Sequence, residues 1–226
     1  MTANVKKAIQ KIYNRDIFDE ELYFVGGTAL SFYLNHRISE DIDIVSSKTL
    51  NHRKIIPSMS VLGAKQLQDE NVTALRMAGL FPDEYMIKFV LDDVKLEFFQ
   101  ANRPIQKEIL KNATFTNFEN SKLKILDLKS IAKLKLVALI MRDKSRDLFD
   151  FGAILKYDVL SLDEIIELFC KVESKIKSIY DIINFIKLKK EPMDDEAVYF
   201  DETHRVDLTY EEIKKGVISK LSKTSK

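Results

Sequence analysis

Apolar residues recur at helical spacing from the start of the chain, and Val5, Ala8, Ile9 and Ile12 predict a helix over 3–14. The apolar run at 22–25 predicts a short strand, broken by Gly26-Gly27, and 29–34 predicts a helix opened by Thr28. Over 41–45 polar and apolar positions alternate, the period of a half-buried strand. The segment 51–80 reads equally as short helices or as strands. Beyond it, 86–91 and 94–100 predict the two arms of a hairpin turning at Asp92-Asp93, residues suited to a tight turn. From Leu126 onward the periodicity is helical, with capping-box spacing at Ser161/Glu164 and Thr209/Glu212. Residues 190–207 are polar and predict a loop, and the Lys/Ser-rich 219–226 predicts a fraying tail. The expected organisation is an α/β core over 1–105, a small mixed sheet flanked by helices. An all-helical C-terminal domain over 106–226 is expected to complete a substrate cleft with it.

Composition narrows this outline without choosing a function. The 226 residues are 46% hydrophobic and include 14 Phe and 8 Tyr, enough apolar surface for a packed core. With 36 basic against 35 acidic residues, the net charge of +1 points to no partner, so any nucleic-acid footprint must come from local clustering. Cys170 is the one cysteine, which excludes an internal disulfide and reads as a structural thiol in the apolar run IIELFC. No apolar stretch follows the basic residues of the first fifteen positions, and no run approaches the roughly 20 residues of a membrane span. A cytoplasmic protein is the expectation. His52 and His204 have no partner spacing for zinc.

Candidate chemistry gathers at two places. Gly26-Gly27 between a strand and a helix permits a tight turn and the close approach of a bulky anion. The helix behind it directs free amides and a positive dipole end outward, suited to phosphate. Thr28 either caps that helix or offers its hydroxyl to the phosphate. Asp41 and Asp43, two apart on a strand, project from one face while Ile42 and Ile44 point to the core. Two adjacent carboxylates need a cation, and Mg²⁺ prefers such hard oxygen ligands while keeping sites open for substrate phosphates. An exposed strand edge with two solvated aspartates is the plain alternative. Further on, residues 121–156 hold nine Lys or Arg against four Asp. Lys135, Arg142 and Arg146 share one face if their helix is continuous. Cations along a buried helix need anions, and two sets are on offer. Asp143, Asp147 and Asp150 would serve structurally, or a nucleotide triphosphate would serve functionally.

In combination these parts are more specific. Gly-Gly-Thr at 26–28, twelve residues, then Asp41-Ile42-Asp43 resembles the signature of polymerase-β-type nucleotidyltransferases. The stretches GGTAL (26–30) and HRISEDIDI (36–44) resemble, more narrowly, the AbiEii family of abortive-infection toxins. So does the pattern Lys-x-x-Ala-x-x-x-Arg-x-Lys-x-Arg-Asp-x-x-Asp over 135–150. The resemblance covers 22–46 and 126–152. It implies a two-metal transfer of NMP from an NTP, with Asp41 and Asp43 holding two Mg²⁺ and Gly26, Gly27 and Thr28 the triphosphate. Lys135, with Arg142 and Arg146, would offset phosphate charge, and Asp147 would complete the site or orient the basic side chains. A third carboxylate is expected on a neighbouring strand. Glu97, mid-strand between Leu96 and Phe98, is the candidate metal ligand and base, with Asp92 and Asp93 as competitors and a cross-strand pair with Lys88 as its structural alternative. His36 and Arg37 would reach a triphosphate or a nucleic-acid backbone, or serve the structure. The resemblance further implies a toxin with an RNA or tRNA end as acceptor, and a cognate antitoxin acting without direct contact. A small-molecule nucleotidyltransferase and a non-catalytic nucleotide- or RNA-binding module remain the alternatives.

Overall fold

The computed structural model of the chain describes residues 1–67, 72–193, 198–200 and 204–224. Parts of the expected loop at 190–207, of the ambiguous 51–80 and of the tail lie outside these. The chain forms two compact units, one of Met1–Phe32 with Ser39–Asp127 and one of Tyr33–Ile38 with Leu128–Lys226.

The first unit contains α1 (Ala3–Ile12), β1 (Tyr23–Val25), α2 (Gly26–Leu34, whose end passes into the second unit), β2 (Ile42–Ser46), α3 (His52–Ser60) and β3 (Lys65–Leu67). It continues through α4 (Val72–Met77), β4 (Met86–Leu91), β5 (Val94–Gln100), α5 (Pro104–Asn112), β6 (Phe115–Asn117) and β7 (Lys124–Leu126). The strands make one mixed sheet in the order β3-β4-β5-β2-β1-β7-β6. The pairs β2–β5 and β1–β7 are parallel and the others antiparallel. Thr2 caps α1 by accepting from the Val5 amide, and the predicted apolar stripe of Val5, Ala8, Ile9 and Ile12 is buried. The expected hairpin is β4–β5, and Asp92 and Asp93 at its tip both take positive φ, +50° and +64°. Two positive φ values match the twist a two-residue hairpin turn needs, and Asp tolerates them.

Register decides which side chains meet. Ile42 lies opposite Leu96 and Ile44 opposite Phe98, which in turn face Phe89 and Ile87 across β5–β4. All six are essentially fully buried. Burial of each contributes about 1.5–3 kcal/mol. Because side chains alternate, this apolar layer forces Asp43, Glu97 and Lys88 onto the opposite face of the same three strands.

The second unit is helical, with α6 (Leu128–Met141), α7 (Ser145–Lys156), α8 (Leu162–Val172), α9 (Ile179–Leu188) and α10 (Tyr210–Thr224). Both predicted capping boxes form. Ser161 Oγ accepts from the Glu164 amide while Glu164 accepts from the Ser161 amide, and Thr209 and Glu212 repeat the exchange. A continuous helix over 135–146 does not form, since α6 ends at Met141 and α7 begins at Ser145. Two short strands, β6 and β7, occupy 115–126, where no strand is legible by alternation. Cys170 is half-buried on α8.

Candidate functional site

On the sheet face opposite the apolar layer, Asp43 of β2 stands beside Glu97 of β5, and Glu97 stands beside Lys88 of β4. Asp41 immediately precedes β2 and, like Asp43, is half-buried. Gly26, where β1 passes into α2, has φ +79°. A Cβ on it would fall 1.9 Å from Asp43 Oδ2 and 2.6 Å from its Cγ. Only glycine leaves the Asp43 carboxylate that place against the turn. Thr28 is fully buried, and its hydroxyl donates to the Asp41 carbonyl. The first turn of α2 is thus tied to the entry of β2, and the glycine pair and the aspartate pair form one local structure.

Two lysines balance these acids. Lys95 Nζ lies 2.7 Å from Glu97 Oε1 and Lys88 Nζ 3.5 Å from the same oxygen. The bond to Glu97 lifts the Lys95 ammonium above the ordinary lysine range, against a cost of partial burial, and the charges of Glu97, Asp41 and Asp43 add to the lift. Lys95 therefore feels all three carboxylates. Among the described residues no three His, Cys, Asp or Glu side chains are grouped as a metal cage. Glu97 is instead engaged with the two ammoniums. The donor set itself suits a divalent ion: hard carboxylate oxygens on adjacent strands, beside a turn whose missing Cβ admits the Asp43 carboxylate. Asp92 and Asp93 stay in the hairpin turn, where Asp92 pairs with Lys11 at 2.5 Å.

In the helical unit the expected basic face is replaced by a buried ionic cluster. Asp150 of α7, fully buried, accepts from Arg37 Nε at 2.7 Å and Nη2 at 3.0 Å, and lies 2.7 Å from His36 Nε2. Lys135 Nζ of α6 is 2.9 Å from Asp150 Oδ2 and 3.5 Å from Asp147 Oδ1. Arg142, in the break between α6 and α7, folds onto Asp147 through Nε at 2.6 Å and Nη2 at 3.1 Å. Burial alone would raise the Asp150 carboxyl. The charges of Arg37 and Lys135 and the bonds from His36 and Arg37 overcome it and hold the group well below the usual carboxylate range. Asp143 pairs instead with Lys189, at 2.7 Å. Arg146 lies half-buried in the first turn of α7.

Of the residues singled out from sequence, Asp41, Asp43, Gly26, Gly27, Thr28 and Glu97 lie together in the sheet unit. Lys135, Arg142 and Asp147 lie together in the helical one, and His36 and Arg37 join that second group as partners of Asp150. Lys95 is the residue that sequence reading passed over. Its signal was present, since a residue two before Glu97 on a strand must share its face.

Among solved structures, an H. pylori protein crystallised as a candidate nucleotidyltransferase aligns with 99% of this chain and 96% of its own, at TM-score 0.52 and 20% identity. The nucleotidyltransferase toxin MenT4 (Rv2826c) of Mycobacterium tuberculosis H37Rv aligns over 97% and 82%, at TM-score 0.55 and 11% identity. The fold is thus that of nucleotidyltransferases. In sequence, the chain is 26% identical over 208 residues to an uncharacterized protein of Aquifex aeolicus (strain VF5), covering 92% of this chain and 86% of that one. Residues 8–220 match the family described as nucleotidyl transferase AbiEii toxin of type IV toxin–antitoxin systems, and the chain belongs to that family.

Proposed function

We propose that the protein transfers a nucleoside monophosphate from an NTP to a hydroxyl acceptor at an RNA or tRNA end, with Asp41, Asp43 and Glu97 as its Mg²⁺ ligands. The observation that carries this reading is the carboxylate face of β2 and β5, set against a glycine that has room for nothing larger. Bound there, two Mg²⁺ ions would neutralise the triphosphate and activate it as an electrophile. The chain's own groups do the rest. The amides of Gly26 and Gly27 at the start of α2 donate to oxygens of the β- and γ-phosphates. Thr28 holds the Asp41 backbone in place through its hydroxyl. Glu97 accepts the proton of the attacking acceptor hydroxyl once Lys95 and Lys88 release it. The hydroxyl oxygen bonds to the α-phosphorus, the bond to the bridging oxygen breaks, and pyrophosphate leaves.

Lys135, Arg142 and Arg146 are assigned the phosphate charge, and Asp147 orients Lys135 and Arg142, to which it is already bonded. The family membership supports a toxin role, with a cognate antitoxin acting without direct contact. No helix among the described residues is long and apolar enough to cross a membrane. A cytoplasmic location is part of the proposed reading. A small-molecule acceptor and a non-catalytic binding module are the competing readings. The test is transfer of α-³²P from each of the four NTPs, with Mg²⁺, to total RNA. RNA labelling that disappears in the Asp41→Ala/Asp43→Ala double variant is the expected result. Nucleotide binding without RNA labelling would defeat the RNA reading in favour of one of the others.

A further inference from the structure

One face of β4 and β5 is covered and the other is open. Alternate residues such as Ile87, Phe89, Leu96 and Phe98 are buried, while those between them are exposed or half-buried. At the edge of the sheet β3 extends the open face with Lys65 and Leu67, both exposed. Register arranges this face in rows across the strands. Lys65 stands opposite Val90, and Val90 opposite Lys95. In the next row Leu67, Lys88, Glu97 and Asp43 follow one another from the sheet edge to the carboxylates. The third row runs from Met86 through Phe99 to Val45. Residues opposite one another share a face, so the rows form one surface that ends at the acids.

Its charges are unevenly matched. Lys65 forms no ion pair among the described residues. Lys88 and Lys95 both turn to a single oxygen of Glu97, at 3.5 Å and 2.7 Å. A divalent ion on Glu97 and the aspartates would take that carboxylate from them and leave three lysines to be answered by another anion. Between the charges lie Leu67, 46% exposed, Met86, 43% exposed, and half-buried Phe99. Cations along a path, with apolar and aromatic side chains beside them for the bases, are the combination that holds single-stranded nucleic acid.

We propose that the open face of β3, β4 and β5 binds the single-stranded end of the acceptor RNA. Its phosphates lie on Lys65, Lys88 and Lys95 and its bases against Leu67, Met86 and Phe99, so that the terminal hydroxyl arrives at Glu97. The proposal rests on the RNA-end reading above and deepens it by giving the acceptor a track in the sheet unit. A duplex end fits less well, because paired bases are turned away from the apolar side chains. An acidic polypeptide would answer the lysines but brings no flat faces to Met86 and Phe99.

The test is fluorescence anisotropy of the full chain with a labelled, unstructured RNA oligonucleotide, in Mg²⁺ and without NTP. The RNA should bind, and a blunt duplex should bind fivefold or more weakly. Lys65→Glu/Lys88→Glu should weaken the single strand tenfold or more. The same charge change on α1, Lys6→Glu/Lys7→Glu at two exposed positions, should leave it within twofold. Lys65→Ala should make the dependence of log Kd on log salt shallower by about 0.7, the loss of one phosphate contact. In EDTA, where Glu97 keeps its lysines, Glu97→Gln should bind RNA threefold or more tightly than the parent. Thermal melting checks that each variant stays folded, and Lys65→Ala carries the test if the double variant does not. The proposal is overturned if the RNA does not bind, if the double variant binds as the parent does, or if the α1 control loses as much. It is equally overturned if Glu97→Gln binds no tighter, or if the duplex matches the single strand. Displacement of the RNA by poly-glutamate at equal charge concentration would also overturn it, assigning the face to an acidic protein. Binding is read without NTP and transfer by labelling, so either reading can fail alone.

Discussion

At the scale of single residues, Gly26 and Lys95 define the sheet site most sharply. Gly26→Ala places a side chain at φ +79° and a Cβ on the Asp43 carboxylate. The left-handed backbone alone costs about 1–2 kcal/mol, and Asp43 must also turn away. A lower melting temperature together with lost transfer activity is expected; parent-like melting and transfer would show that the close approach is unimportant. Lys95→Ala acts in the other direction. It removes the ammonium that answers Glu97, Asp41 and Asp43, so the carboxylates should take Mg²⁺ more readily. The rise in melting temperature on adding Mg²⁺ should be larger in the variant, since a ligand that binds only the folded state stabilises by mass action. Equal rises in variant and parent would count against those carboxylates as the metal ligands. The glycine pair, the aspartates and Glu97 were legible because each is conspicuous in a local pattern. The part played by Lys95 was not, because an isolated lysine on a strand looks like any solvated one until its register is known.

Among the elements, helix starts were legible and helix continuity was not. Ser161 and Glu164 form the capping box their spacing predicts, and the Glu164 carboxyl falls from 4.5 to about 2. The Ser161 amide is the largest cause, and Lys129 and Lys133 add to it against a burial cost. Because the folded value lies below the unfolded one, this contribution is complete above pH 4.5 and is lost as pH falls towards 2. Ser161→Ala should cost about 1 kcal/mol at neutral pH by urea unfolding. Glu164→Gln should flatten the acid limb, losing less stability than the parent between pH 4.5 and pH 3. An acid limb as steep as the parent's would mean that other carboxylates set it. The break between α6 and α7 had no comparable signal. Residues 142–144 are charged and helix-compatible, and the chain turns there because Arg142 finds Asp147 and the Arg142 carbonyl accepts from Lys189 at 2.9 Å. The strands β6 and β7 escaped notice for a simpler reason: three residues are too few to display a period of two.

At the scale of the whole molecule, the helical unit is not contiguous in sequence. It borrows Tyr33–Ile38 from the N-terminal half, and with them two of the groups that hold Asp150. A chain restricted to 128–226 would keep Lys135 but lose Arg37 and His36, leaving a fully buried carboxylate short of its partners. Removing partners from a buried charge costs about 3–5 kcal/mol, a large part of the roughly 5–15 kcal/mol by which domains are stable. That fragment should show little cooperative melting by circular dichroism, and a well-folded fragment would refute this account of the cluster. In the full chain, Asp150→Asn should lower stability by a similar amount, because Arg37 and Lys135 would then lack their shared counter-charge.

The amino-acid sequence by itself determined the amphipathic helices, the β4–β5 hairpin, the caps and the identity of the acidic and glycine motifs. Each of these depends on residues within a few positions of one another, where periodicity, turn chemistry and local hydrogen bonding act directly. Tertiary structure alone decided that His36 and Arg37 serve Asp150 and that Lys95 answers three carboxylates. Those outcomes depend on which buried charge lacks a partner and which strands lie in register. Both are set by the packing of segments far apart in the chain, where a one-residue shift would send every side chain of a strand to the other face.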